Sequence, residues 1–152
     1  MNFEFFLKRV EHNKITLSLG YKPLDCNSPF DEVAISRTSI VSPNYPLDYD
    51  SNLDCQITVS FALGRKVLIH FETFNLGYSY SCTSYSDYLE VRDGNSSSSD
   101  LIGSRLCGTD IPEKKVSTGN SVTLAIHTNN YGAYSGFRLK VLEVGKYYRC
   151  NV

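Results

Sequence analysis

The sequence of 152 residues has no tryptophan, a single methionine and no long apolar run. No stretch approaches the roughly 20 apolar residues that a membrane helix needs, which excludes a helical membrane span. Lys and Arg total 15 against 16 Asp and Glu, a formal net charge of -1, and nowhere form a dense basic block. Phosphate binding needs a concentrated positive face, so nucleic acid is excluded as the natural partner. No serine sits in a Gly-x-Ser-x-Gly context and no glycine loop resembles a phosphate cradle, which removes two common enzyme classes. Ser104, between Gly103 and Arg105, reads as a strand or turn residue. No stretch of about a dozen residues keeps a helical period, and no internal repeat is found.

What remains is a globular β protein. Hydrophobic residues make up 41% and charged residues 20%, too apolar and too weakly charged for a disordered chain. A domain of this length buries about 68–70% of the surface of its unfolded chain and folds on its own. From Thr38 onward the hydrophobic period is two. Ile57, Val59 and Phe61 alternate with polar residues, as do Val67, Ile69 and Phe71, then Val122, Leu124 and Ile126, then Phe137, Leu139 and Val141. Such alternation marks half-buried antiparallel strands. Turn signals stand between the runs: Ser42-Pro43-Asn44, Leu63-Gly64-Arg65, Asp93-Gly94-Asn95 and Thr118-Gly119-Asn120. Many short strands with regular turns predict an all-β sandwich or barrel. Residues 1–25 differ, with two short apolar runs around 3–7 and 15–19 joined by charge, and read as an irregular N-terminal extension or linker. Glu4 and Lys8 interrupt any apolar leader at the start, so the chain is expected to be a piece of a longer secreted protein.

Five cysteines, Cys26, Cys55, Cys82, Cys107 and Cys150, point to that oxidising compartment. The first four are 29, 27 and 25 residues apart, too wide for the paired ligands of a structural zinc site. Two bridges among five cysteines leave fifteen pairings, and spacing alone does not choose between them.

The residues Ser42-Pro43-Asn44-Tyr45-Pro46, Cys55 nine positions later, and Cys82 followed by the Asp-Tyr-Leu-Glu-Val-Arg-Asp-Gly run at 87–94 resemble the CUB domain family. Leu106-Cys107-Gly108, Pro112, the run 121–126 and Gly136-Phe137 continue the resemblance in order, over about 26–144. It implies a two-sheet antiparallel, jelly-roll-like sandwich, a domain at 26–144 and a C-terminal tail at 145–152. It also implies the pairing Cys26–Cys55 and Cys82–Cys107. Members are non-catalytic extracellular modules that bind proteins, or in some cases glycans as in seminal-plasma relatives. One departure is Ile57, where an aromatic, usually Trp, is common two residues after the second cysteine. An inward Ile suits that position with less volume.

Many CUB domains hold calcium through a Glu and two Asp. The resemblance puts these positions at Gly77, at Asp87 and at Asn129 or Asn130. One carboxylate is a poor cage for a hard dication, so neither calcium nor any other cofactor is expected. Glu72 and Glu90 belong to strands and need not converge on that loop. His70 and His127 fall on the polar sides of alternating strands, the place of a solvated imidazole, and His12 lies in the extension. With four cysteines in bridges, a thiol enzyme would depend on Cys150 near the chain end, and no enzyme is expected.

Tyrosine carries the stronger signal. Segments 77–87 and 128–136 are nearly pure Tyr, Ser, Gly and Asn, the composition that binding loops favour. The CUB fold brings these segments to one end, so Tyr78, Tyr80, Tyr85, Tyr131, Tyr134, Asn129 and Asn130 are the expected partner-binding residues. Asn95-Ser96-Ser97 is an acceptor for N-linked glycan on a different loop. Cys150 is left over and is a candidate for an inter-chain disulfide, so the alternatives to the protein-binding module are a cross-linked assembly piece and, as the resemblance allows, a glycan-binding module. Arg138, Lys140, Lys146 and Arg149 give the end of the chain a positive bias that suits an acidic partner, a sulfated glycan or simply a solvated face.

Overall fold

The structure, a computed structural model, describes residues 10–11, 14–15, 21–24, 26, 32–33, 37–79 and 81–145. His12, Tyr80, Lys146, Arg149 and Cys150, with most of residues 1–20, lie outside the described residues. Among the described residues there is no helix.

The described residues form eleven strands, in order β1 (Val10–Glu11), β2 (Lys14–Ile15), β3 (Tyr21–Pro23), β4 (Glu32–Val33), β5 (Arg37–Val41), β6 (Asp54–Ser60), β7 (Arg65–Asn75), β8 (Tyr88–Arg92), β9 (Lys115–Val116), β10 (Ser121–His127) and β11 (Gly136–Gly145). β1 and β2 pair with each other, and the rest make two sheets, β4-β6-β10-β8 and β3-β5-β11-β7-β9. Pairing is antiparallel except at two edges, where β3 runs parallel to β5 and β4 parallel to β6.

The period-two pattern explains the core. Ile57, Val59, Val122, Leu124 and Ile126 of one sheet, and Val67, Ile69, Phe71, Phe137, Leu139 and Val141 of the other, are all buried in one cluster. Each such side chain contributes about 1.5–3 kcal/mol on leaving water. Ile57, the residue in place of the usual aromatic, is 1% exposed within it. Phe61 only packs against its margin. Strict alternation would send Thr73 inward after Phe71, but a bulge in the β7–β11 pairing skips Glu72, because Arg138 faces Thr73 while Leu139 faces Phe71. An extra residue reverses the faces beyond it. Phe74 therefore turns in and meets Phe71 edge-on at 6.0 Å. Glu72 stays outside, between Arg138 Nε and Lys140 Nζ, each at 2.6 Å.

Disulfides join Cys26 to Cys55 and Cys82 to Cys107, with Cα separations of 4.4 and 5.6 Å. In a chain-entropy account each is worth roughly 3–4 kcal/mol. Upstream of Cys26, β3 lines the edge of the five-stranded sheet, and Leu24 is 2% exposed with its N–H bonded to Val41 O at 3.0 Å.

Strand register decides which loops meet. Val41, Asn75 and the start of β11 are level with one another, as are Asp54, Tyr88 and His127 in the other sheet. Loops 42–53, 76–87 and 128–135 therefore share one end. The turn bearing Asn95 follows the far end of β8, at the opposite end.

Candidate functional site

The three loops at that end are sewn together by hydrogen bonds. Loop 42–53 runs along loop 128–135: Tyr49 N donates to Tyr134 O at 3.1 Å, and Asn52 N to Asn129 O at 2.9 Å. The Ser51 hydroxyl donates to Gly132 O at 3.1 Å. The Thr128 hydroxyl accepts from Leu53 N at 2.7 Å and donates to Asp50 O at 3.0 Å.

Asp87 is the centre of this end. It is 3% exposed, and its two oxygens accept from the Tyr49 hydroxyl and from Asn129 N, both at 2.7 Å. Burial, reinforced by the Asp87 carboxylate, pushes the Tyr49 phenol far above its ordinary pKa, so it stays a donor. Asn129 links the other two loops, because its amide donates to Tyr85 O and accepts from Tyr131 N, each at 2.7 Å.

This arrangement bears on calcium, since the resemblance places ligands at Gly77, Asp87 and Asn129 or Asn130. A Cβ built on Gly77 would lie 2.2 Å from Tyr134 Cε2, so the Tyr134 ring fills the space a glutamate side chain would need. The Asp87 oxygens and the Asn129 amide are already engaged within the protein. Among the described residues no group of three or more His, Cys, Asp or Glu is placed to hold a metal. The donor set does not fit a calcium ion, which takes six to eight oxygens with several carboxylates.

The expected binding residues separate into two kinds. Tyr78, Tyr85 and Tyr131 are 93%, 87% and 75% exposed. Asn130 is exposed as well. Tyr134 is half-buried and packs against the core and against Gly77. Asn129, half-buried in the wall of the depression, positions the loops through its amide. Tyr85 and Tyr131 border a depression of about 280 Å³ whose wall includes Asn52, Asp54, His127 and Asn130. Exposed aromatic rings on a fixed frame offer contact area at small entropic cost.

Beside the depression lies a group that the alternation pattern placed only on a polar face. His127 Nδ1 is 2.6 Å from Asp54 Oδ1, and its ring stacks on Tyr88 at 5.0 Å. Arg105 covers Tyr88, 4.1 Å from the ring centroid, and its Nε donates to Glu90 Oε1 at 2.9 Å. Arg92 Nε donates to Glu90 Oε2 at 2.9 Å. Burial by itself would raise the Glu90 pKa, but its bonds to Arg105 and Arg92 and their charges outweigh it and hold the carboxyl below its ordinary value. Strand register supplies this group, since Tyr88, His127 and Asp54 stand side by side on β8, β10 and β6. A signal existed in the alternating outward positions, but pairing was needed to use it.

A family model described as the CUB domain matches residues 26–141. A cubilin homolog of Drosophila melanogaster is 37% identical over 105 residues, covering 69% of this chain and 3% of the relative. Bone morphogenetic protein 1 of Xenopus laevis is 38% identical over 112 residues, covering 74% of this chain and 15% of the relative. The chain thus spans a small part of the curated relatives it matches. Among solved structures, the full extracellular region of zebrafish Gpr126/Adgrg6 matches with a TM-score of 0.67 and 26% identity, over 78% of this chain and 15% of that one. The MASP-1 CUB2 domain bound to Ca2+ matches with a TM-score of 0.64 and 24% identity, over 74% of this chain and 96% of that one, which shows the shared fold.

Proposed function

This chain belongs to the CUB domain family, and from that membership we propose that it is a non-catalytic extracellular module that holds a protein partner on the tyrosine-bearing end of its sandwich. CUB domains in general are extracellular protein-interaction modules. The observation that carries the reading here is the pair Tyr85 and Tyr131, both exposed and both lining one depression while Asn129 bonds to the backbone of both. Their loops are fixed before a partner arrives, so little ordering cost opposes binding. Tyr78 and Asn130 extend the same face, Tyr80 is assigned to it from sequence, and Tyr134 and Asn129 hold it in shape.

The working unit in this reading is residues 26–144 with β3 and Leu24 packed onto it, and the rest of 1–25 together with 145–152 are flanking segments. Its binding does not depend on calcium, because Asp87, Tyr49, Asn129 and Tyr134 supply the fastening that an ion would. A glycan on Asn95 fits this arrangement, since that exposed residue is at the other end and leaves the tyrosines uncovered.

A photo-crosslinking residue in place of Tyr131 tests the reading. In extracellular fluid it should give a covalent adduct with a protein, while the same residue at Asn95 should give none. Adducts from Asn95 alone would overturn it.

A further inference from the structure

Antiparallel strands with one face in water alternate apolar and polar residues, whereas strands covered on both faces read as unbroken apolar runs. The five-stranded sheet changes from the first kind to the second along its length. Past His70 and Lys140, β7 carries the run Val67-Leu68-Ile69 opposite Val141-Leu142 of β11. Val67, Ile69 and Val141 are buried in the core, so Leu68 and Leu142 belong to the outer face. Register sets Val116, Leu68 and Leu142 side by side across β9, β7 and β11, with Val144 next along β11. Val116 is 47% exposed, the other three are half-buried, and exposed Lys66 and Lys140 border the row. This apolar row lies towards the Gly145 end of the sheet, away from the tyrosines.

The chain has a segment in need of such a face. Among the described residues β1 pairs with β2 alone, and a lone two-stranded hairpin is marginal in water. Val10 stands opposite Ile15 and Glu11 opposite Lys14, which puts the apolar pair on one face of the hairpin and the charged pair on the other. In the sequence, Leu17 and Leu19 continue the period of two from Ile15, alternating with Thr16 and Ser18. β3, which follows, lies on the edge of the same sheet and, being parallel to β5, is entered from the end where the row lies. Neighbouring strands are about 4.8 Å apart, so β7 is about 14 Å from β3, and six extended residues span about 20 Å.

We propose that residues 10–19 fold back over the outer face of the five-stranded sheet, with Val10, Ile15, Leu17 and Leu19 against the row Val116, Leu68 and Leu142. The row is too small to hold a second copy or a separate protein, since a stable interface uses roughly 20–30 residues a side. A tethered segment needs less contact, because its tether keeps it at an effective concentration on the order of millimolar. The cover makes residues before β3 part of the folded unit and closes this face to other proteins. Lying away from the tyrosines, it leaves them open to a partner.

The test uses the whole chain, with Ile, Leu and Val methyl groups labelled, followed by NMR. Methyl–methyl NOE cross-peaks should join Ile15, Leu17 or Leu19 to Leu68, Leu142 or Val116, and should arise within one chain when labelled and unlabelled chains are mixed. Leu17→Asp in the segment and Val116→Ser at the sheet edge should each speed amide exchange over 14–19 at least about tenfold, as loss of a packed apolar side chain requires. Leu63→Ser, at a residue 90% exposed on the turn between β6 and β7, should leave that exchange unchanged. Signals of the core residues Ile69 and Val141 should keep their positions in all three variants, which shows the sheet intact. Cross-peaks arising only between different chains would give the row to a second copy and overturn the proposal. Exchange over 14–19 as fast in the wild type as in an unstructured peptide, or equal in the wild type and the first two variants, also overturns it.

Discussion

The Asp87 carboxylate, 3% exposed, accepts the Tyr49 hydroxyl at 2.7 Å, and this buried bond ties loop 42–53 to loop 76–87. With Asn129 N on the other oxygen, it makes Asp87 the fixed point to which three loops are attached. The exposed tyrosines are carried on a frame whose polar groups answer one another. The exposed ring surface and the loop order are therefore supplied by different residues.

Tyr49→Phe keeps the ring and removes the donor, leaving a buried carboxylate oxygen unanswered. Denaturant unfolding should show a loss of about 1–3 kcal/mol. A phenol whose ionisation folding pushes up contributes stability that is whole below its unfolded value of 10.0 and is lost as pH rises beyond it. The wild-type domain should thus lose stability above about pH 10, and the variant should lose less of it there. A variant as stable as wild type at pH 7 would show that the bond is replaced by water.

Calcium should leave the domain unchanged. The melting temperature in millimolar calcium and in chelator should agree within a degree, since Gly77 brings no carboxylate and Tyr134 fills its place. A rise of several degrees with calcium, lost in Asp87→Ala, would mean that the loops open to admit an ion.

Glu90 should govern part of the acid response. Its carboxyl is held below the ordinary 4.5 by Arg105 and Arg92, against the opposing effect of burial. A depressed carboxyl contributes stability that is whole above its unfolded pKa and is lost as pH falls through the folded one. Unfolding free energy should accordingly fall below about pH 4.5. Glu90→Gln should cost about 1–3 kcal/mol at pH 7 and flatten that fall. An unchanged acid limb would assign the loss to other carboxylates.

Leu24 tests where the folded unit starts. It is buried, and its N–H bonds to Val41 O. Leu24→Ala should cost about 2–5 kcal/mol, and a chain starting at Cys26 should unfold more easily than one starting at Tyr21. Equal stability of the two truncations would make β3 an ornament of the sheet.

The sandwich was legible because alternation is local: Ile57 with Val59, Val122 with Leu124 and Ile126, and Phe137 with Leu139 all face the core as their spacing requires. Phe74 was not, because the bulge at Glu72 exists only in the pairing of β7 with β11. The exposure of Tyr78, Tyr85 and Tyr131 followed from loop composition. Tyr134 turns inward for a reason no local window contains, namely that Gly77, far away in sequence, has no side chain to keep the ring out. Asp54 and His127 were likewise separate polar positions until β6 and β10 were set in register.

The central claim is that the tyrosine end is the partner face, and the affinity of a captured partner for Tyr85→Ala and Tyr131→Ala measures it most directly. A central aromatic costs about 2 kcal/mol or more when truncated, so binding should weaken at least about tenfold. The melting temperature should stay within a degree of wild type, because both rings are exposed. Undiminished affinity in both variants, or a footprint centred on the Asn95 turn, would contradict the account.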